Sequence, residues 1–360
     1  MGATLRAVLC LAGAGGFGGA TGLPAGATAR PYPAAAVRSG ARVAMSSVPG
    51  GSPCVIRVLG VGGGGSNAIT RMMRIGQAGV ECFCINTDAQ ALDASARGSR
   101  QVQIGRDVTR GLGAGGDPAI GRLAAEESVA EINAIVRGAD LVFVVAGMGG
   151  GTGSGAAPVV AECAKVAGCL TVGVVTKPFL FEGARRMRQA VEAIQAMREA
   201  TDALIVVSND KLLASAKADL PINQAFEYAD DVLRQGVAGL SDVVVQPGLV
   251  NVDFADVCAV MANGGLSLMG VGSARGKDRA ILAAQAAVTS PLLDFPVANA
   301  RSILFTMSGP PGMALSEVNA AARVITASAD PDANIIFGAL IDENAGDEIS
   351  ITVVATGLIV

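Results

Sequence analysis

Gly147-Met148-Gly149-Gly150-Gly151-Thr152-Gly153-Ser154-Gly155 follows the apolar run Leu141 to Ala146 and precedes the helix-like Ala156-Ala157-Pro158-Val159-Val160-Ala161. An apolar run bounded in this way reads as a buried strand, so the pattern is strand, glycine loop, helix. Six glycines and two hydroxyls in nine residues keep the backbone free of Cβ atoms. Consecutive amides and the positive end of the following helix can then converge on an anion, which makes the nonapeptide a candidate phosphate cradle. Gly150, at its centre, is expected to allow close backbone approach and any positive φ the turn requires. A Gly/Ser linker is the alternative, but linkers do not usually join a strand to an amphipathic helix.

The same pattern occurs earlier. Val55 to Leu59 reads as a strand, followed by Gly60-Val61-Gly62-Gly63-Gly64-Gly65-Ser66-Asn67-Ala68 and a helix through Met72 and Met73. Gly60, Gly62 and Gly65 satisfy GxGxxG, so a dinucleotide site with Glu81 or Asp88 on the ribose is one reading. The second glycine loop counts against it. A P-loop is excluded, because no GxxxxGK[ST] occurs and neither glycine loop carries a lysine.

Composition narrows the chemistry. With 51% hydrophobic and 16% charged residues, the 360-residue chain can bury one large core or two. The absence of histidine removes Ser-His-Asp triads, Cys-His dyads and His-ligated metals. Seven cysteines without a CxxC pair read as buried reduced thiols. The first 50 residues hold four arginines and no acid, and the first carboxylate is Glu81. Val8-Leu9-Cys10-Leu11 resembles a short secretory apolar region, and Arg30 to Ser47 has transit-peptide composition. A two-part leader of this kind fits import into the plastid stroma, with a mitochondrial matrix presequence as the alternative. Beyond it, 23 basic residues face 31 acidic ones, a net charge near −8 that speaks against nucleic acid as a partner. No stretch of 18 apolar residues follows the leader, so no direct membrane insertion is expected.

Gly149 to Gly155 is similar to the GGGTG[ST]G signature of the tubulin/FtsZ family of GTP-dependent filament proteins. From about Cys54 to Gly357 the chain resembles the FtsZ branch of that family, in its plastid-division form. The resemblance implies a doubly wound parallel-sheet α/β GTP-binding domain joined by a central helix to a smaller α+β domain. The corresponding divisions are a leader over 1–50, the GTP-binding domain over 51–228, the central helix and the loop after it over 229–262, and the α+β domain over 263–360.

It also implies roles for particular residues. Gly62, Gly63, Gly64, Ser66 and Asn67 would form the first nucleotide loop. Asp88 would help order nucleotide and magnesium, although it also reads as a helix N-cap. Ala114, Gly115 and Gly116, in the loop Arg106 to Pro118, would sense the γ-phosphate. Gly147, Met148, Gly149, Gly150, Gly151, Thr152 and Gly153 would hold phosphates. Glu182 would take the ribose hydroxyls with Arg186 near the nucleotide, or the two form only an i,i+4 ion pair. Asn209 and Asp231 would read guanine, with Asp230 the adjacent alternative to Asp231, and Phe226 would stack on the base. Asn209-Asp210 as a helix cap is the plainer reading.

Finally, Asn251, Asp253 and Asp256 match the NxDxxD loop that reaches the nucleotide of the next subunit. Blandly read, the two carboxylates are helix N-terminal acids. The implied ligands are GTP or GDP, with Mg2+ held mainly through the phosphates and no protein metal site. The implied partners are a second copy of the chain, head to tail, a second FtsZ paralogue and division-ring adaptors. The competing functions are a non-hydrolysing GTP-binding scaffold and a NAD-type oxidoreductase. The sequence stops at Leu358-Ile359-Val360, where many family members continue into a linker and a tether-recruiting peptide, so adaptor binding through such a tail is not expected.

Overall fold

Among the described residues, eight strands are apolar or β-branched runs that the sequence marks clearly; of the other two, Arg100–Gln103 is short and mostly polar and Gly265–Arg275 is broken up by glycine. The computed structural model describes residues 54–358, except 76–78, 96–97, 216–220, 247, 251, 291 and 294–296. The expected leader and Asn251 lie outside the described residues.

In chain order the first half runs β1 (Ile56–Val61), α1 (Gly62–Ile75), β2 (Val80–Asn86), α2 (Ala89–Asp93), β3 (Arg100–Gln103), α3 (Arg106–Thr109), α4 (Pro118–Glu127) and α5 (Val129–Val136). It continues with β4 (Leu141–Gly147), α6 (Gly151–Val166), β5 (Leu170–Lys177), a 3₁₀ turn (Leu180–Glu182), α7 (Ala184–Ala200), β6 (Ala203–Ser208) and α8 (Asn209–Ser215). The second half comprises α9 (Ile222–Val245), α10 (Phe254–Met261), β7 (Gly265–Arg275), α11 (Arg279–Val288), β8 (Ser302–Gly309), α12 (Leu315–Ala327), β9 (Asn334–Ile341) and β10 (Glu348–Thr356).

The strands join in the order β3-β2-β1-β4-β5-β6-β7-β10-β8-β9. All pairs from β3 to β7 are parallel, β10 is antiparallel to β7 and β8, and β8 and β9 are parallel. The doubly wound half and the α+β half are therefore hydrogen-bonded into one sheet through β7.

Parallel strands covered on both faces bury every side chain, and their alternation divides the core in two. Phe143 and Val145 of β4 pack with Ile69 and Met72 of α1 and Leu233, Val237 and Leu240 of α9. Val142 and Val144 pack on the other face with Val160 of α6 and Met197 of α7. In the second half, Phe305, Ile351 and Val353 pack against Ala283 and Ala287 of α11 and Ile325 of α12.

Three expectations shift. First, α6 begins at Gly151, inside the glycine run, where the sequence suggests a start at Ala156. Second, the division placed at residue 228 falls within α9, a single 24-residue helix of about 36 Å. Third, neither β3, four mostly polar residues, nor β7 was expected, the latter because its glycines break the apolar pattern. Their reason is packing: a Cβ on Gly270 or Gly272 would lie 2.1 or 2.3 Å from the carbonyl oxygens of Ala287 or Ala283 in α11.

Candidate functional site

Strand order reverses between β1 and β4, and at such a switch point the loops leaving adjacent strands diverge to open a crevice beyond the strand C-termini. Both glycine loops leave from there, because Val61 pairs with Ala146. They touch: a Cβ on Gly62, at φ 71°, would meet the Gly153 amide nitrogen at 2.9 Å, and one on Gly64 the Gly147 nitrogen at 3.2 Å.

Within the central motif the glycines do two different things. Gly151, Gly153 and Gly155 are packing glycines. Their Cβ atoms would lie 2.9 Å from the Asp117 nitrogen, 2.3 Å from the Gly147 oxygen and 2.0 Å from the Pro118 oxygen. They let α6 settle against β4 and α4. Gly150 differs, since a Cβ there would meet nothing within 4 Å. Its φ of −94° is open to any residue, so the positive φ belongs to Gly149 (94°) instead. Gly63, Gly115 and Gly116 likewise face open space. The loop carrying Ala114 to Gly116 packs beside the cradle, with the Ala114 methyl 2.9 Å from a Cβ built on Gly151.

Ser154 Oγ accepts from the Gly149 amide at 2.7 Å, Met148 donates to the Thr176 carbonyl at 2.9 Å, and Thr152 shares a 2.7 Å hydroxyl contact with Thr87. The first-turn amides of α6 have no intrahelical acceptor. They and the helix dipole are thus available to an anion in the open space before Gly150.

On the far side of the crevice, Asn209 opens α8 from the end of β6. It is 5% exposed and its Oδ1 has no partner; Ser66, equally buried, has an unpartnered Oγ. Orphaned acceptors are costly unless a ligand completes them. Asn209 is not a cap here, but Asp210 accepts from the Leu180 amide at 3.0 Å. Phe226 stands on α9, 41% exposed, edge-on to Phe179 (5.2 Å) and Phe181 (6.3 Å), with a free flank for a planar group. Asp231 accepts from Arg234 and Gln235 of its own helix at 2.7 Å each, which leaves acceptor capacity on both oxygens. Asp230 is turned instead to Arg71 of α1, at 3.6 Å. Burial pushes its carboxyl up to about 6 against the pull of Arg71.

Two local readings are realised. Asp88 N-caps α2 through the Ala91 amide at 3.1 Å. Glu182 and Arg186 form the i,i+4 ion pair, with the other Glu182 oxygen on the Phe179 amide at 2.9 Å. Asn67 is exposed on α1 at the same end.

Asp253 and Asp256 are elsewhere. Both are exposed, and Asp253 N-caps α10 through the Asp256 amide at 2.8 Å. The helix α9 starts at the glycine edge and ends with Val245 against Gly79, just before β2 begins. Burial, and after it the nearby Asp140 carboxylate, raises the thiol pKa of both Cys258 on α10 and Cys54, so Cys258 lies beside Cys54 and Asp140, which precede β1 and β4. The carboxylate pair therefore sits at the N-terminal edge of the strands, a strand length of about 20 Å or more from the cradle.

Residues 55–217 match the GTPase domain of the tubulin/FtsZ family, and 265–359 match the FtsZ family C-terminal domain. An FtsZ dimer from M. jannaschii is 44% identical over 84% of this chain and 88% of that one, with a TM-score of 0.82. The chain belongs to the tubulin/FtsZ family. A second M. jannaschii FtsZ structure, of a point mutant, gives the same identity and TM-score over 85% and 91%. A GTPγS-bound CetZ2 protofilament from Haloferax volcanii shares the fold, at 24% identity over 84% and 93% and a TM-score of 0.71. Family members are GTPases that bind GTP or GDP, and homologues form dimers and protofilaments. As a tubulin/FtsZ-family GTPase the chain has no use for the dinucleotide reading. Thr87, Ser154 and Asp210 act as supports, roles that the sequence did not assign them, since a hydroxyl or acid in or beside a loop does not announce its partner.

Proposed function

We propose that this FtsZ-family chain assembles head to tail and hydrolyses GTP only between subunits, as a component of a plastid division ring. The observation that carries the reading is the placement of Asp253 and Asp256 at the sheet edge opposite the cradle. A carboxylate there cannot reach its own nucleotide, but it faces the cradle of a neighbour stacked along the strand direction.

In the proposed site, amides of Gly150 to Gly153 and the Gly62–Gly64 loop with Ser66 hold the phosphates, and Ala114 to Gly116 close over the terminal one. Glu182, with Arg186, takes the ribose. Asn209 and Asp231 read the guanine edge, Phe226 stacks on its face, and Asn67 and Asp88 complete the rim. No cluster of three or more acids or thiols among the described residues could hold a metal, so magnesium would draw on phosphate oxygens and water. Asp256 of the next subunit, supported by Asp253 and Asn251, accepts a hydrogen bond from the attacking water and aligns it with the terminal phosphorus.

The basic, acid-free leader supports plastid import, with the mitochondrial matrix as alternative, and a paralogue and ring adaptors are proposed partners. Functionally, the chain divides into nucleotide half, connecting helix with its loop, and C-terminal half. Asp256→Ala tests the mechanism: GTP affinity and polymerisation should persist while turnover per subunit falls ~10²–10⁴-fold, the range expected for lost positioning of a proton acceptor. Mixed with unaltered protein, it should suppress turnover, because each variant subunit disables its neighbour's site. Loss of GTP binding, or unaltered turnover, would refute the arrangement in trans.

A further inference from the structure

The nucleotide crevice has two walls built from distant parts of the sequence, the 3₁₀ turn Leu180–Glu182 and the start of α8. The turn has little packing of its own: Leu180 is 73% exposed and Phe181 57%. Its leading amides have no acceptor within so short a helix. Two carboxylates supply them. Glu182 Oε1 takes the Phe179 amide at 2.9 Å from inside the turn, and Asp210 Oδ1 takes the Leu180 amide at 3.0 Å from thirty residues away.

Asp210 follows directly on Asn209, whose Oδ1 is buried without a partner. One side chain thus grips the ribose turn while its neighbour is left for the base. A carboxylate on an amide is a charge-assisted bond, stronger and more directional than a neutral one. On the apolar side the turn is steadied by Phe179 and Phe181 against Phe226 of α9. Ring contacts of that kind tolerate sliding, so the polar contact sets the spacing.

We infer that Asp210 is a positioning residue, fixing the turn that carries Glu182 at a set distance from Asn209 so that ribose and guanine are recognised as one rigid unit. The inference rests on the reading of Glu182 as the ribose contact. It gives Asp210 a positioning role, since its carboxylate accepts from the Leu180 amide and acts on the ribose only through the turn.

The test measures dissociation constants of the full chain for GTP, for GTP lacking both ribose hydroxyls, and for ITP, which lacks the guanine amino group. The ribose ratio and the base ratio are each formed within one variant, so a general loss of folded protein cancels. Asp210→Ala should bring the ribose ratio close to one and leave the ITP ratio above half its original value. Asp210→Asn, which keeps an acceptor oxygen, should restore the ribose ratio to within about threefold of the original, a difference near 0.7 kcal/mol.

Glu182→Gln is measured on the same axes. If it collapses the ribose ratio and Asp210→Ala does not, Asp210 positions nothing. If both ratios collapse together in Asp210→Ala, the residue acts on the whole pocket and the inference fails. If Glu182→Gln leaves the ribose ratio intact, the assignment of Glu182 fails and takes this inference with it.

Discussion

Adding one methyl group at two positions of the same motif should separate folding from binding. At Gly155 a Cβ would lie 2.0 Å from the Pro118 oxygen and 2.6 Å from the Arg122 nitrogen, both backbone atoms of α4. Ordinary contact begins at 3.4 Å, so Gly155→Ala requires α4 and α6 to part by more than an ångström. Overpacking usually costs about 1–3 kcal/mol, and two backbone clashes place this one at about 2–3 kcal/mol, offset by roughly 1 kcal/mol of helix propensity gained over glycine. A net loss of about 1–2 kcal/mol lowers Tm by about 2–3 °C for a folded unit of roughly 300 residues.

At Gly150 the added Cβ meets no protein atom within 4 Å. Gly150→Ala should cost the fold under about 1 kcal/mol, the usual difference at a helix N-cap. It places its methyl where the phosphates would approach, however. Losing one or two amide contacts to a charged ligand, at roughly 1.5 kcal/mol each, weakens GDP binding by about 10- to 100-fold. Melting without nucleotide and calorimetric titration with GDP report the two effects separately. The division of labour is refuted if Gly150→Ala melts as low as Gly155→Ala, if it binds GDP normally, or if Gly155→Ala is neutral.

Asp231→Asn should weaken GTP binding about 10- to 100-fold by presenting an amide where the guanine donors need a carboxylate; unchanged affinity by calorimetry would shift the base contact to Asp230. The carboxyl of Asp230 is raised from 3.8 to about 6, so folding favours its protonated form. That contribution is full below pH 3.8 and lost as pH rises through 6, by up to roughly 3 kcal/mol. Asp230→Asn should therefore melt close to the unaltered protein at pH 4 and progressively above it towards pH 7, whereas a constant difference would show that Asp230 does not titrate in this range. Residues 1–48 fused to a fluorescent reporter should carry it to the plastid, and deletion of the first 18 should divert it; mitochondrial fluorescence would overturn the organelle and leave the GTPase untouched.

Sequence pattern located the strands that bury both faces, since Leu141 to Ala146 or Leu204 to Val207 have no other way to satisfy so much apolar surface. It also located the two glycine loops. It could not say which glycines face a ligand and which face protein, because Gly150 and Gly153 look alike until the α4 and β4 backbones are in place. Strand β7 was hidden for the same reason, its Gly270 and Gly272 being spent on α11 rather than on a turn. The Asp210–Leu180 bond joins residues thirty apart, and no local pattern announces it. Conversely, the cap expected of Asp88 is present, and Asp253, expected only as a helix N-terminal acid, caps α10 as well.

The helix that bears Asp256 is fastened to the C-terminal half at both ends. Before it, Val250 bridges to Ala339 of β9; at its close, Thr356 of β10 donates to the Val260 carbonyl at 2.8 Å. Those strands hold no nucleotide in the proposed arrangement. They nevertheless set where the carboxylates stand, so, if Asp256 acts in trans as proposed, strain applied to β9 or β10 would be transmitted to the neighbouring subunit as a change in its hydrolytic rate. Such a chain would sense load on one half and answer through the clock of the molecule next to it.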